Sequence, residues 1–205
     1  TFSNYLEKHN LDIAPHGKTT MAPQIFSEQI KHGAWGITAG AINQIQVMYD
    51  FGINKVLLAN QLLGKSHLET IASYINQNKN FSFYCFVDSI DQFLNMKKNL
   101  GNRTLINPIN LLPEIGAENG RTGIRKKEDF LQLVKEIGND QSKNFNFAGI
   151  SSYEGIAAVA MKGSNAVHDF CSKIEDIIND IPSNIYSHLD DLLITAGGST
   201  HFDIV

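Results

Sequence analysis

The chain has 205 residues, 42% of them hydrophobic and 19% charged, which suits one domain with a sizeable core and gives no sign of disorder. Its 17 Lys and Arg stand against 21 Asp and Glu, a formal net charge of −4. There is no basic stripe or arginine-rich run, which argues against nucleic acid and anionic membranes as partners and leaves small molecules as the expected ligands.

The opening T-F-S-N-Y-L-E-K-H-N reads as part of a helix rather than a signal sequence, and no apolar stretch approaches transmembrane length. Both ends look cut, since the chain starts inside that helix and stops at Val205 soon after a strand. Short β-rich runs then recur at Leu11–Ala14, Trp35–Ala39, Lys55–Asn60, Phe81–Asp88, Ile109–Ile115, Phe147–Ser152 and Leu192–Ala196. Between them lie segments of helical period at Pro23–His32, Ile42–Phe51, His67–Ile75, Ile90–Leu100, Glu128–Ile137 and Val167–Ile178. Phe130, Leu131, Val134 and Ile137 form one such apolar stripe. The alternation predicts a mostly parallel sheet, either an open doubly wound sheet or a closed barrel. Polar residues recur at the C-terminal ends of the strands: Lys18, Asn60, Asp88, Glu114, Tyr153 and Ser199. A barrel brings all of these to one mouth, so a (β/α)8-type barrel is expected, incomplete here with about seven strands. Residues 1–205 form one domain, with no fixed-period repeat or internal linker.

Cys85 and Cys171 are far apart, in strand and helix context, which excludes a disulfide framework or a CxxC site and makes a reducing cytoplasm the default.

The run A-P-H-G-K-T-T-M-A-P places Lys18 directly after the first apolar stretch. An ammonium is costly to bury, so a lysine at the mouth of a buried strand either reaches water or loses its proton. A neutral amine condenses with aldehydes, and the natural aldehyde for a resident lysine is pyridoxal phosphate. Strand alternation puts His16 on the same face, where it either depresses the lysine pKa or positions the cofactor. The alternative is a loop lysine near a turn.

The last strand runs into T-A-G-G-S-T-H-F-D. Gly197 and Gly198 let backbone N–H groups approach an anion, and the hydroxyls of Ser199 and Thr200 add donors, as a phosphate requires. The alternative is a plain turn with a helix N-cap at Ser199 or Thr200. Glu114 to Arg125 reads E-I-G-A-E-N-G-R-T-G-I-R. It is not a Walker A loop, because three residues rather than four separate its first two glycines and an arginine stands in the lysine position. Arg121 is either a donor to a phenolate or carboxylate or a surface arginine in a tight turn. In G-I-S-S-Y-E-G, Ser151 and Tyr153 share a face and either meet a ring inside the barrel or leave Tyr153 packed under a loop. His32, His67, His168 and His188 lack metal-ligand spacing, and His201 with Asp203 reads as local structure, so no metal ligand is assigned.

Taken together, P-H-G-K-T-T-M-A-P with A-W-G-I-T, V-L-L-A-N-Q, E-I-G with G-R-T-G-I-R, Y-E-G, and A-G-G-S with F-D resemble the D-threonine aldolase and D-serine dehydratase-like branch of the pyridoxal phosphate enzymes that share the alanine racemase N-terminal barrel. The lysine run is especially similar to members described as amino-acid deaminases. The matching segments extend from Ala14 to Asp203. The resemblance implies that Lys18 carries the cofactor as a Schiff base and acts as acid/base at the substrate Cα. Arg121 would contact the phenolic oxygen, Gly197, Gly198, Ser199 and Thr200 would hold the phosphate, and His16, Ser151 and Tyr153 would line the ring. It further implies a homodimer, and an eighth strand and C-terminal β domain outside Thr1–Val205 that supply a second catalytic group and, in the aldolase and dehydratase branches, ligands for a divalent metal. The D-threonine aldolases carry an acidic residue where this chain has Gly116. The expected activity is that of a lyase on D-hydroxy amino acids. Dehydration of D-serine or D-threonine comes first, retro-aldol cleavage of D-threonine second and racemisation third. A non-catalytic carrier of the cofactor, or direct attack of Lys18 on a carbonyl substrate, are the competing classes.

Overall fold

The computed structural model describes residues 2–155, 165–190, 192–198 and 204. Its centre is a curled, all-parallel sheet of β1 (Ile37–Ala39), β2 (Lys55–Gln61), β3 (Ser82–Val87), β4 (Ile109–Ile115), β5 (Phe145–Phe147), β6 (Gly149–Ser152) and β7 (Leu193–Thr195). The order across the sheet is β1-β2-β3-β4-β6-β7, with β5 also paired to β4. After α1 (Phe2–His9), the helices α2 (Pro23–Lys31), α3 (Ile42–Asp50), α4 (Lys65–Gln77), α5 (Ile90–Leu100), α6 (Lys127–Gly138) and α7 (Ala166–Asn179) form the outer layer, with a short helix at Ser183–Tyr186. This is an α/β architecture in which the sheet forms an incomplete barrel.

Strand alternation divides the core in two. Outward residues such as Val56, Phe83, Cys85, Leu111 and Phe147 pack with buried Phe26, Phe93, Phe130 and Phe170 of the helices into one large cluster. Inward residues Leu57, Leu112 and Ala148, with Trp35, Tyr84, Phe86 and Leu193, line the hollow of the curl. Farther toward the strand N-termini the inner face turns polar: His188 Nε2 lies 2.7 Å from Asn146 Oδ1, and Asn146 donates to Asn110 at 3.1 Å.

The helices follow their sequence signals. Ser89 caps α5 by accepting from the Gln92 N–H at 3.2 Å, Asp91 lies in its first turn, and Lys97 and Lys98 lie in its last, complementing the helix dipole. The buried stripe of α6 is Phe130, Leu133, Val134 and Ile137, spaced i, i+3, i+4, i+7; Leu131 is only partly buried, so Leu133 takes the place expected for it.

Two expected strands differ. Leu11–Ala14 forms no strand, although the segment lies beside β1: Trp35 N–H donates to Ile13 O at 2.8 Å, Thr38 N–H to Pro15 O at 2.8 Å, and Gly17 N–H to Thr38 O at 2.8 Å. Pro15 has no N–H to return, so the ladder shrinks to one bridge between His16 and Thr38. The expected Phe147–Ser152 strand is broken after Phe147. Ile109, Asn110 and Leu111 pair with Phe145, Asn146 and Phe147, whereas Glu114 and Ile115 pair with Ser151 and Ser152, a one-residue slip. Gly149 takes up the slip at φ +148°, where a Cβ would collide with the Leu193 carbonyl oxygen.

Candidate active site at the C-terminal rim

Because every strand runs the same way, the strand ends share one rim, and the register sets what they display there. Glu114 pairs with Ser151, and Ser151 with Thr195, so the three stand in one row of the inner face. β2 and β3 add Gln61 and Asp88. Gln61 Nε2 donates to Asp88 Oδ2 at 3.0 Å and to Glu114 Oε2 at 3.2 Å, and Thr122 Oγ1 donates to Glu114 Oε1 at 2.8 Å. Burial pushes the Glu114 carboxyl above the ordinary carboxylate range. The Thr122 hydrogen bond and the charges of Arg121 and Arg125 oppose the shift, and Asp88 adds to it.

At the first edge, Gly40 is fixed on both sides: its N–H donates to Gln44 Oε1 at 2.7 Å, and its carbonyl accepts from Asn60 Nδ2 at 3.4 Å. The stem of Lys18 runs over this glycine, with Cδ 3.5 Å from where a Cβ would stand. Lys18 is exposed, the first of the two outcomes open to a lysine at a strand mouth. The cause is its position, since the Leu11–Lys18 segment is paired on one side alone among the described residues. His16 is exposed as well but partly desolvated, and this covering, then the nearby Lys18 ammonium, holds its imidazole below the usual value.

After β4 the chain folds back on itself. Gly116 N–H donates to Ile124 O at 2.9 Å and Ile124 N–H to Glu114 O at 2.7 Å, closing a loop in which Gly116 and Gly123 touch backbone to backbone. A Cβ at Gly116 would strike the Thr122 carbonyl, so no acidic side chain fits there without moving the loop. Arg125 donates to the carbonyls of Gly120 and Gly123 and is spent on the loop itself. Arg121 stays exposed, close enough to Glu114 for their charges to interact.

At the far edge, Ser151 is fully buried and its Oγ lies 3.4 Å from the Leu112 carbonyl, so it is a weakly bonded interior hydroxyl rather than part of the open rim. Tyr153 is 46% exposed, and its ring edge lies 3.4 Å from where a Cβ on Gly198 would stand, which brings it to the glycine pair. Among the described residues nothing lies within 4 Å of where a Cβ on Gly197 would stand. Ser199, Thr200, His201 and Asp203 lie outside the described residues. Among the described residues no group of three or more His, Cys, Asp or Glu is placed to hold a metal ion.

Gln61, Gln44, Thr122 and Glu154 were not foreseen as site residues. Gln61 had a signal, since the N-Q pair ends an otherwise apolar strand; Glu154 had only its place in Y-E-G. Glu154 is 1% exposed, and among the described residues neither carboxylate oxygen has a hydrogen-bond partner.

No family profile matches the chain. A D-threonine aldolase from Arthrobacter sp is 22% identical over 151 residues, 74% of this chain and 38% of that protein. The crystal structure of D-threonine aldolase from Filomicrobium marinum superposes with a TM-score of 0.79 at 22% identity, covering 98% of this chain and 53% of that one. Alanine racemase from E. faecalis gives 0.71 at 13% identity over 93% and 47% of the two chains, and D-threo-3-hydroxyaspartate dehydratase from Delftia sp. HT23 gives 0.63 at 15% over 95% and 55%. The chain therefore has the barrel fold seen in these enzymes and spans about half the length of their solved structures.

Proposed function

We propose that this chain is the cofactor-binding barrel domain of a pyridoxal phosphate-dependent lyase that acts on D-hydroxy amino acids, most directly by dehydrating D-serine or D-threonine with release of ammonia. The observation that carries the reading is the placement of Lys18 on the rim that also bears Arg121 and the Gly197–Gly198 turn. The residues fit the cofactor chemically. An accessible amine over a glycine platform suits an aldehyde, an exposed guanidinium suits the phenolic oxygen, and a glycine pair with nothing among the described residues within 4 Å of a Cβ on Gly197 suits a phosphate.

When bound, pyridoxal phosphate supplies an electron sink that weakens the bonds at the substrate Cα. The chain does the rest. Lys18 Nζ would hold the aldehyde group of the cofactor and would hold or deliver the proton at the substrate Cα. Arg121 would donate to the phenolic oxygen, and the N–H groups of Gly197 and Gly198 would take the anionic tail, with the hydroxyls expected from Ser199 and Thr200 as further donors. Tyr153 and His16 would border the ring.

Retro-aldol cleavage of D-threonine is the second reading, supported by the names of the two aldolases among the relatives. A cytoplasmic homodimer accompanies both readings; Cys85 and Cys171 are free, and among the described residues no helix is long and apolar enough to cross a membrane.

The test is to incubate the complete protein with D-serine and D-threonine, with and without a chelator, and to assay ammonia, acetaldehyde and the L-isomers. Ammonia supports dehydration, acetaldehyde with glycine supports the aldolase, and L-isomer alone supports racemisation. The chelator arm tests for a metal. A protein that shows the visible absorption of lysine-bound cofactor but turns over neither substrate is a carrier, and one without that absorption overturns the cofactor reading. Lys18→Ala should abolish the absorption and lower turnover by at least ~10²–10⁴-fold.

A further inference from the structure

Glu154 is the one buried side chain among the described residues whose polar atoms find no hydrogen-bond partner: it is 1% exposed and both Oε atoms are bare. Its carboxyl is directed at Gly198, where a Cβ would collide with Oε1. Gly198 does not have a positive φ, so the turn does not require glycine there; the approach of Glu154 does. Resting on the phosphate reading of Gly197 and Gly198, this arrangement contains a conflict. A carboxylate sits against the turn meant to receive an anion, and two anions in a dry site repel unless a proton comes between them.

We infer that Glu154 meets the anionic tail of the ligand as a carboxylic acid, so that binding takes up one proton, which the carboxyl donates as a hydrogen bond to a phosphate oxygen. The proton comes from solvent, and no bond at phosphorus forms or breaks. It would also end the isolation of the carboxyl, converting an acceptor without donors into a donor with a strong acceptor. The surrounding groups offer no substitute. On its own segment the neighbouring Tyr153 brings its ring edge to the same Gly198. From α7 the group that senses it is Cys171: burial lifts the thiol first, and the charges of Glu154 and of Glu175, on the same helix, lift it further. No hydrogen-bond donor reaches Glu154 from any element described.

The complete protein and its Glu154→Gln variant are titrated with pyridoxal phosphate and with pyridoxal, which lacks the anionic tail, between about pH 6 and about pH 9, a range that spans ordinary side-chain neutrality. Linkage of one proton predicts that the wild-type affinity for pyridoxal phosphate weakens by up to about tenfold per pH unit more than that of the variant. Pyridoxal should not separate the two proteins. Parallel pH profiles for pyridoxal phosphate, or loss of its binding by the variant at every pH, overturn the inference while leaving the cofactor reading in place. Failure of the wild-type protein to bind pyridoxal phosphate overturns both. Should the variant fail to fold, calorimetry of the wild type in two buffers of different ionisation enthalpy decides the matter. One more proton taken up with pyridoxal phosphate than with pyridoxal supports the inference, and equal uptake overturns it.

Discussion

Gln61 and Glu114 join β2 to β4 across the intervening β3: the Gln61 amide donates to Glu114 at 3.2 Å and, with the same nitrogen, to Asp88 at 3.0 Å. One neutral donor group thus keeps two carboxylates at the rim from facing each other unbridged. Replacing Gln61 by Leu leaves both acceptors short of that donor and should cost about 1–3 kcal/mol, and Gln61→Glu should cost more because it adds a third acid. For a chain of this size each kcal/mol lowers Tm by roughly 2–4 °C, within reach of a calorimetric or fluorescence melt. A Leu variant as stable as the wild type would show that the bridge contributes nothing.

Glu114 gives a pH-dependent signature. Burial raises its carboxyl above the unfolded value of about 4.3, so the folded chain binds the proton more tightly than the unfolded one. The sign follows: this group's contribution is most favourable at low pH and is lost as pH rises from the unfolded value through the raised folded one. Glu114→Gln keeps the shape without the ionisation. The Tm difference between the variant and the wild type should therefore shift in favour of the variant as pH climbs from about 4 to about 7. A difference that stays flat over that interval would mean the carboxyl is not perturbed.

Much of the barrel was legible because parallel strands covered on both faces must be apolar, and Val56 to Leu58, Phe83 to Val87 and Leu111 to Leu112 are so. The helices were legible from their stripes. What escaped was tertiary. The chain around Pro15 runs beside β1, yet one missing N–H denies it a ladder. Nothing in G-I-S-S-Y-E-G announced that Ser151 would be fully enclosed or that Glu154 would turn toward Gly198, since both depend on which strand lies alongside. The exposure of Lys18 has the same origin, being set by the neighbours of a segment rather than by its own residues.

Gly149 offers the sharpest test of the break between β5 and β6. Its φ of +148° and the Leu193 carbonyl pressed against its Cα leave no place for a methyl group. Gly149→Ala should destabilise the fold by roughly 1–3 kcal/mol or more, and the loss should concentrate in the β6–β7 pairing, which this contact supports. Hydrogen exchange should then show faster amide exchange in Leu193–Thr195 with α4 and α5 unchanged. Uniform loss of protection would assign Gly149 to the global fold instead.

The two arginines of the β4 loop should separate cleanly. Arg125 spans two carbonyls with its guanidinium fork, a geometry that a lysine ammonium cannot reproduce, so Arg125→Lys should cost roughly 1.5–3 kcal/mol and loosen the loop that presents Arg121. Arg121 makes no such contacts among the described residues and is exposed, so Arg121→Lys should change stability by less than about 0.5 kcal/mol. If Arg121 holds the cofactor's phenolic oxygen, the same variant should weaken cofactor affinity by roughly 10–100-fold, the equivalent of one charge-assisted hydrogen bond. Thermal melts and cofactor titrations on both variants distinguish the roles. An Arg121→Lys protein that melts lower yet binds the cofactor unchanged would return Arg121 to a purely structural part in the loop.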